Sequence, residues 1–235
     1  MAHKTWYSTS ITDAIKELKT HKSKGLTKQE VKKRQKKFGL NELPKKQGTT
    51  LLQLFFSQFN NILIYILIAA AAISFILQHA VDGFIIGAAI LVNVIVGFIQ
   101  EYKAQNALEK LQEVIVSYCI VIRNNTPQKV SSDQLVPGDI IELTAGVTVP
   151  ADCRLIEVND CEINEASLTG ESQPVTKQTK KIVKQGLELG DRASMAFMGT
   201  VVTRGTAKGV VVNTGINTEI GTIAHLIQKT EAEQT

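Results

Sequence analysis

Two long stretches without a single Asp, Glu, Lys or Arg, residues 47–81 and 83–100, constrain this chain more than any other feature. The first holds the apolar run Ile62 to Leu77, preceded by the partly apolar Leu51 to Phe59; the second holds Phe84 to Ile99. A helix crosses a bilayer with about 20 largely apolar residues, within a range of roughly 17 to 25. Both stretches reach that length if their polar flanks lie in the interfaces. A buried hairpin in a soluble protein would need a large apolar host, which the remaining residues do not supply. The reading is a transmembrane hairpin over residues 49–101, with helices at about 55–78 and 83–101. The link from Gln78 to Gly83 is short, so the two helices should run antiparallel.

Charge orients the hairpin. Residues 1–46 carry 13 Lys or Arg against 4 Asp or Glu, whereas the rest of the 235-residue chain carries 13 against 18. The basic arm enters the first span, and Lys103 and Lys110 follow the second. Basic flanks favour the cytoplasmic side, leaving only the short loop with His79 and Asp82 outside. The expectation is a multi-pass protein of the plasma or cell inner membrane, with both long ends cytoplasmic and the lipid bilayer as partner. The amino end has no apolar segment of the secretory-signal kind. Cys119, Cys153 and Cys161 form no Cys-x-x-Cys pair, so neither a disulfide framework nor a zinc site is expected. His3, His21, His79 and His225 are scattered without ligand spacing.

The rest divides into three parts. A basic helical region covers residues 1–48. Its first helix runs from about Ser10 to Lys19; the second opens at Thr27 with Glu30 three residues on, the spacing of a capping box, and stops at Gly39. The basic face of that second helix either touches anionic headgroups or is simply solvated. Asn41-Glu42-Leu43-Pro44 then ends the helical region. After the second span, Ala104, Ala107, Leu108, Leu111, Val114 and Ile115 keep helical spacing, which predicts a stalk over residues 102–117. Residues 118–235 change pattern. Tyr118–Arg123, Asp139–Leu143, Asp152–Val158, Phe197–Arg204 and Gly209–Thr214 are short β-branched runs separated by turn signals. They predict an all-β domain, two packed sheets or a distorted jelly roll, closed by a helix from about Asn217 to Lys229. The fold class is therefore mixed.

The residues that could carry chemistry lie in one segment, Leu168-Thr169-Gly170-Glu171-Ser172, with Pro174 close behind. Gly170 permits a backbone geometry that a β-carbon resists, and Thr169 and Ser172 can bond the local main chain. A carboxylate held at the tip of such a loop can position or deprotonate a water. The same letters also suit an ordinary turn between strands. No phosphate-cradling glycine loop is present, and basic residues are not interleaved with aromatics, so nucleic acid is not expected as a partner. Polar side chains are few within the spans, chiefly Asn60, Asn61, Ser74, Gln78 and Asn93, suited to interhelical hydrogen bonds or, less simply, to an ion path.

Taken in order, the motifs resemble one family. Asn41-Glu42-Leu43-Pro44 is followed by Gly97-Phe98-Ile99-Gln100-Glu101, Val136-Pro137-Gly138-Asp139 and Val149-Pro150-Ala151-Asp152. Leu168-Thr169-Gly170-Glu171-Ser172, Gly199-Thr200 and Thr214-Gly215 complete the set. Together these are similar to the N-terminal part of the P-type cation-transporting ATPases, the group that includes calcium and sodium pumps. The resemblance implies that the arm and the β-domain form the actuator domain and that the hairpin is the first two transmembrane helices. It implies that Glu171 activates the water that hydrolyses an aspartyl phosphate in another domain, with Thr169, Gly170 and Ser172 shaping the loop. It further implies a stalk that transmits the loop's motion, and ATP and Mg2+ as cofactors of the complete pump.

The departures set further expectations. The family's phosphorylation motif, Asp-Lys-Thr-Gly-Thr, is nowhere in the sequence. No cofactor or metal is expected on this segment, and pumping is expected only with phosphorylation, nucleotide-binding and further membrane regions, on the same or a separate chain. The alternative is a non-enzymatic, membrane-anchored binding or regulatory module derived from such a pump. Calcium pumps of the family tend to be acidic near the cytoplasmic start of the first span, whereas Gln53, Ser57, Gln58, Asn60 and Asn61 stand here. The resemblance therefore leaves the transported ion open.

Overall fold

The computed structural model describes residues 5–43, 50–114, 117–184 and 186–233. Pro44 of the expected helix break and Ile115 of the expected stalk lie outside these residues. Helices α1 (Ile11–Glu17) and α2 (Lys28–Phe38) come first, followed by α3 (Leu51–Ser57), α4 (Ile62–Ile76) and α5 (Ala80–Val114). Strands β1 (Tyr118–Arg123), β2 (Thr126–Ser131), β3 (Ile140–Thr144) and β4 (Asp152–Asn164) follow. The chain continues through the one-turn α6 (Ala166–Thr169), strands β5 (Val175–Thr176), β6 (Met195–Ala196) and β7 (Val201–Asn213), and α7 (Glu219–Glu233). It forms two compact units, one from Lys46–Ile115 and the other from Met1–Lys45 with Val116–Thr235.

In the hairpin unit, α5 is long and apolar enough to cross a membrane over Ala80–Ala107. The first apolar stretch is not the single helix expected at about 55–78. It is broken, with α3 and α4 meeting at 64°. The cause is local and polar. Thr50 and Gln53 form a capping box that starts α3, and the Asn61 side chain accepts from the Leu63 amide at 2.9 Å to start α4 afresh. Asparagine is among the strongest residues at such a cap, so Asn60-Asn61 restarts a helix inside an apolar run. Helix α3 then packs on α5. Phe55 meets Phe98 edge to face with centroids 6.0 Å apart, and the Gln58 carboxamide lies where a side chain at Gly97 would have to go. At the other end, Phe75 packs edge to face on Phe84 over Gly83. Most of the apolar side chains, such as Ile62, Ile76 and Phe84, point outward and stay exposed.

The second unit is built on an antiparallel sheet in the order β2-β1-β3-β7-β4-β5, with β6 paired to β4. Strand alternation gives it two apolar faces. Val121, Ile141, Leu143, Cys153, Leu155, Ile163, Val202 and Val211 fill the main core. Their neighbours Ile122, Ile140, Ile156 and Val210 face the other way and are covered by Ala14, Ile11, Ile15 and Leu18 of the arm. The arm is thus part of the β-unit's packing rather than an appendage. Helix α2 has the expected capping box at Thr27 and Glu30, ends at Gly39, and docks Val31 against Leu26 and Val136.

Strand β2 was not expected from the sequence. Asn124 and Asn125 both take positive φ, 50° and 63°, and this turn returns the chain as an edge strand that tolerates Pro127. The two expected strands Phe197–Arg204 and Gly209–Thr214 are instead largely one, β7. The Thr203-Arg204-Gly205 turn signal marks a register irregularity against β4, because Gly205, at φ 69°, lies against the carbonyls of Asn159 and Asp160.

Candidate functional site

Several of the sequence motifs meet as fasteners of the β-unit. Asn41 is 4% exposed, and its Nδ2 donates to the carbonyls of Ser132 and Pro150, both at 2.8 Å. Its Oδ1 accepts from the Gly215 amide at 2.8 Å, so one side chain ties the arm to the segments around Pro150 and Gly215. In Val136-Pro137-Gly138-Asp139, the Asp139 carboxylate accepts from Arg123 Nε and Nη2 at 2.8 and 2.6 Å and from the Val136 amide at 3.0 Å. Gly138, at φ 98°, leaves room for Arg34, which donates to the Pro137 and Lys19 carbonyls. Arg34 therefore serves docking, while Lys32, Lys33, Lys36 and Lys37 stay exposed.

Asp152, 1% exposed, accepts from the amides of Met198 and Glu219 at 2.9 Å each and so anchors the start of α7. Burial pushes its carboxyl up to about 7. An aspartate unfolds to a value near 4, so between about pH 4 and pH 7 the folded chain holds a proton that the unfolded chain has lost. Stability should therefore fall as pH rises through that window and level off above it. The single tryptophan, Trp6, packs against this unit and reports its unfolding. Fluorescence melts at pH 5 and pH 8 should differ by on the order of 5 °C more in the parent chain than in Asp152→Asn. Parallel pH profiles in the two chains would count against the assignment.

The Thr169–Ser172 segment crosses from β4 to β5. Asn164 Oδ1 accepts from the Ala166 amide at 2.9 Å and opens α6. Gly170 ends it in the left-handed region, at φ 77° and ψ −3°, with its amide bonded to the Ala166 carbonyl. Among the described residues no neighbour crowds Gly170, so the positive φ is what calls for glycine there. Thr169 Oγ1 donates to the Glu165 carbonyl at 3.1 Å and accepts from the Glu171 amide at 3.2 Å. The hydroxyl thus links the helical turn to the residue that bears the carboxylate. Glu171 and Ser172 are exposed. Val175 then pairs with Ile163 and closes the loop on the sheet.

Beside Glu171 lies a cleft of about 380 Å³ lined by Leu168, Thr169, Glu188, Gly190, Asp191 and Arg192, among others. Its far wall, Glu188 to Arg192, lies between Thr179 and Ser194, two residues that Arg154 fixes. That guanidinium is fully buried and donates to the carbonyls of Leu155, Thr179, Ser194 and Thr9. Burial lowers its pKa to about 10. Sequence reading gave Arg154 no role, and it also missed the buried pair beneath the loop, Glu165 Oε1 with Lys177 Nζ at 2.5 Å. The signal available for Arg154 was a charged residue inside a strand between the apolar Cys153 and Leu155; Glu165 and Lys177, flanked by Asn164 and by Thr176 and Gln178, carried no such signal. Among the described residues no cluster of three or more His, Cys, Asp or Glu is arranged to hold a metal ion.

An exposed carboxylate on a short, internally bonded loop can act on a group brought to it from outside, and the cleft leaves that approach open. Comparison with known proteins gives the loop its context. Residues 113–228 match the P-type ATPase actuator domain, and residues 6–74 match the cation transporter/ATPase N-terminus. A calcium-transporting ATPase of Bacillus subtilis is 44% identical over 217 residues, covering 92% of this chain and 24% of that protein. A calcium-transporting ATPase of Bacillus cereus is 40% identical over 98% of the chain and 26% of its own length. A sodium/potassium exporting P-type ATPase of Schizosaccharomyces pombe is 38% identical over 93% of the chain. The chain spans about a quarter of the length of such relatives. It belongs to the cation-transporting P-type ATPases, and carries their N-terminal region and actuator domain.

Proposed function

We propose that this chain is the N-terminal and actuator segment of a pump that couples ATP hydrolysis to cation transport, and that its loop serves dephosphorylation. The carrying observation is Glu171, presented in solvent by a left-handed turn at Gly170 and tied through Thr169. In this reading the loop meets an aspartyl phosphate on another part of the pump. Glu171 accepts a proton from a water whose oxygen attacks phosphorus. The bond from phosphorus to the aspartyl oxygen breaks, which releases inorganic phosphate and restores the aspartate. ATP and Mg2+ are cofactors of the whole pump, and no residue described in this segment is assigned to them.

The apolar helix α5 and the bent pair α3–α4 support a reading in which the segment lies in a membrane. The basic arm and Lys103 support an orientation with the arm and the β-unit cytoplasmic, and the bilayer as partner. The cargo is a cation. Calcium is named for the two bacilli proteins and sodium/potassium for the fission-yeast one, while the break between α3 and α4 offers Ser57, Gln58, Asn60 and Asn61 and no carboxylate.

The test uses membranes that contain the pump with this segment. Brief exposure to ATP should leave a hydroxylamine-labile acyl phosphate whose decay depends on Glu171. Supplying calcium or sodium separately identifies the ion that drives its formation. An acyl phosphate that decays equally fast in Glu171→Gln would sink the proposal.

A further inference from the structure

Beneath the loop, Glu165 and Lys177 form an ion pair in which the two side chains are 1% and 0% exposed. They sit at the two sides of the loop's neck. Glu165 immediately precedes α6, and its carbonyl receives the Leu168 and Thr169 amides and the Thr169 hydroxyl. Lys177 immediately follows β5; its amide bonds the Cys161 carbonyl and its Nζ lies 6.0 Å from the centroid of the Phe197 ring. The bond between Glu165 and Lys177 therefore closes a ring of chain, 165–177, whose outer part is Thr169-Gly170-Glu171-Ser172.

Stability does not account for this arrangement. Taking both charges out of water costs several kcal/mol per ion, and exchanging a buried pair for apolar residues of similar size is often neutral or stabilising. Among the described residues Glu165 Oε2 is buried with no hydrogen-bond partner, so even this pair leaves one oxygen unmatched by them. An apolar neck would hold the sheet together as well. What the pair adds is direction: one short charged bond fixes the strand after the loop to the residue on which the loop's first turn is hung.

We propose that Glu165 and Lys177 are positioning residues for Glu171, locking the neck so that the carboxylate is presented in one place. This rests on the reading in which Glu171 serves dephosphorylation. Mechanical leverage supports it. The tip lies six residues beyond Glu165, so a small shift of the neck is enlarged at Glu171, and a misplacement of about 1 Å can cost 10²-fold in rate.

The experiment uses the pump that carries this segment, with Glu165→Gln and Lys177→Met combined, which removes both charges and nearly keeps both volumes. Acyl-phosphate decay should slow by about tenfold, while its formation from ATP and the pump's thermal-inactivation midpoint stay close to the parent's. In a Glu171→Gln background the same pair of substitutions should add less than twofold, because the group they position is already gone. Lys177→Arg, which keeps a cation in reach of Glu165, should retain decay within about threefold. If the combined variant melts below the assay temperature, the wholly apolar exchange Glu165→Leu with Lys177→Met, which leaves no unpaired charge at the neck, is read by the same two rates.

Parent-like decay in a folded pair variant overturns the inference, as does a slowing that multiplies in full on top of Glu171→Gln. If Glu171→Gln slows decay and the pair variant does not, only the positioning role falls. If Glu171→Gln itself leaves decay unchanged, both readings fall.

Discussion

Glu171→Gln should slow decay of the acyl phosphate by about 10²- to 10³-fold and leave its formation from ATP unchanged. A positioned general base contributes roughly 10² to 10⁴ to a rate, and glutamine removes the basic oxygen while keeping length and shape. Folding should not interfere. Glu171 is exposed, and among the described residues it bonds through its amide rather than its carboxylate, so a surface substitution here should fall within about 0.5 kcal/mol of the parent. Glu171→Asp keeps the charge but draws it back by one methylene, which should give an intermediate rate. Thr169→Val removes the hydroxyl that links the Glu165 carbonyl to the Glu171 amide and should slow decay by less than Glu171→Gln. The readout is the rate at which radiolabelled phosphoenzyme disappears after a chase with unlabelled ATP. If Gln and Asp both decay at the parent rate, the carboxylate takes no part in the step.

Much of the unit that presents Glu171 was legible in the sequence because local chemistry decides it. Thr27 with Glu30 predicted a capping box, and Gly39 a helix end, since a cap is satisfied within four residues. The motif order located the loop, and Gly170 does take the positive φ that its neighbours suggested. What escaped depends on partners far along the chain. Gly205 reads as a turn residue, yet it is a strand residue pressed against Asn159 and Asp160, and only the β4–β7 pairing shows that. Arg154 and Lys177 drew no reading from the sequence, one lying within a strand and the other directly after one. Their burial depends on carbonyls and a carboxylate from other segments, which spacing alone cannot bring together. The break at Asn60-Asn61 escaped for the opposite reason. Hydropathy averages over some 20 residues, whereas a cap acts at one, and at that position the cap prevailed. Asn41, read as part of a helix stop, proved to be a three-way fastener for the same long-range reason.

The largest loss of stability should follow Arg123→Met, at about 3–5 kcal/mol, because it strands a buried charge. Arg123 holds Asp139 through two parallel bonds, at 2.8 and 2.6 Å, and the Asp139 side chain is wholly buried. Methionine fills the stem of the arginine but leaves a carboxylate whose remaining donor is the Val136 amide at 3.0 Å. The Gln134 carbonyl also loses the donor it had from Nη2. The consequences spread because the Asp139 turn is stitched to β7: the amides of Gly138 and Val211 bond the carbonyls of Val211 and Asp139. Denaturant titration followed by Trp6 fluorescence measures the effect in the unit that contains the pair. Adding Asp139→Asn to Arg123→Met removes the stranded charge while keeping an acceptor for Val136, and should restore more than half of the loss. That recovery separates the two possible sources of the cost. If the double variant is as unstable as the single, arginine packing carries the stability and the charge pair does not; if it recovers, the buried carboxylate is what demands a cation at position 123.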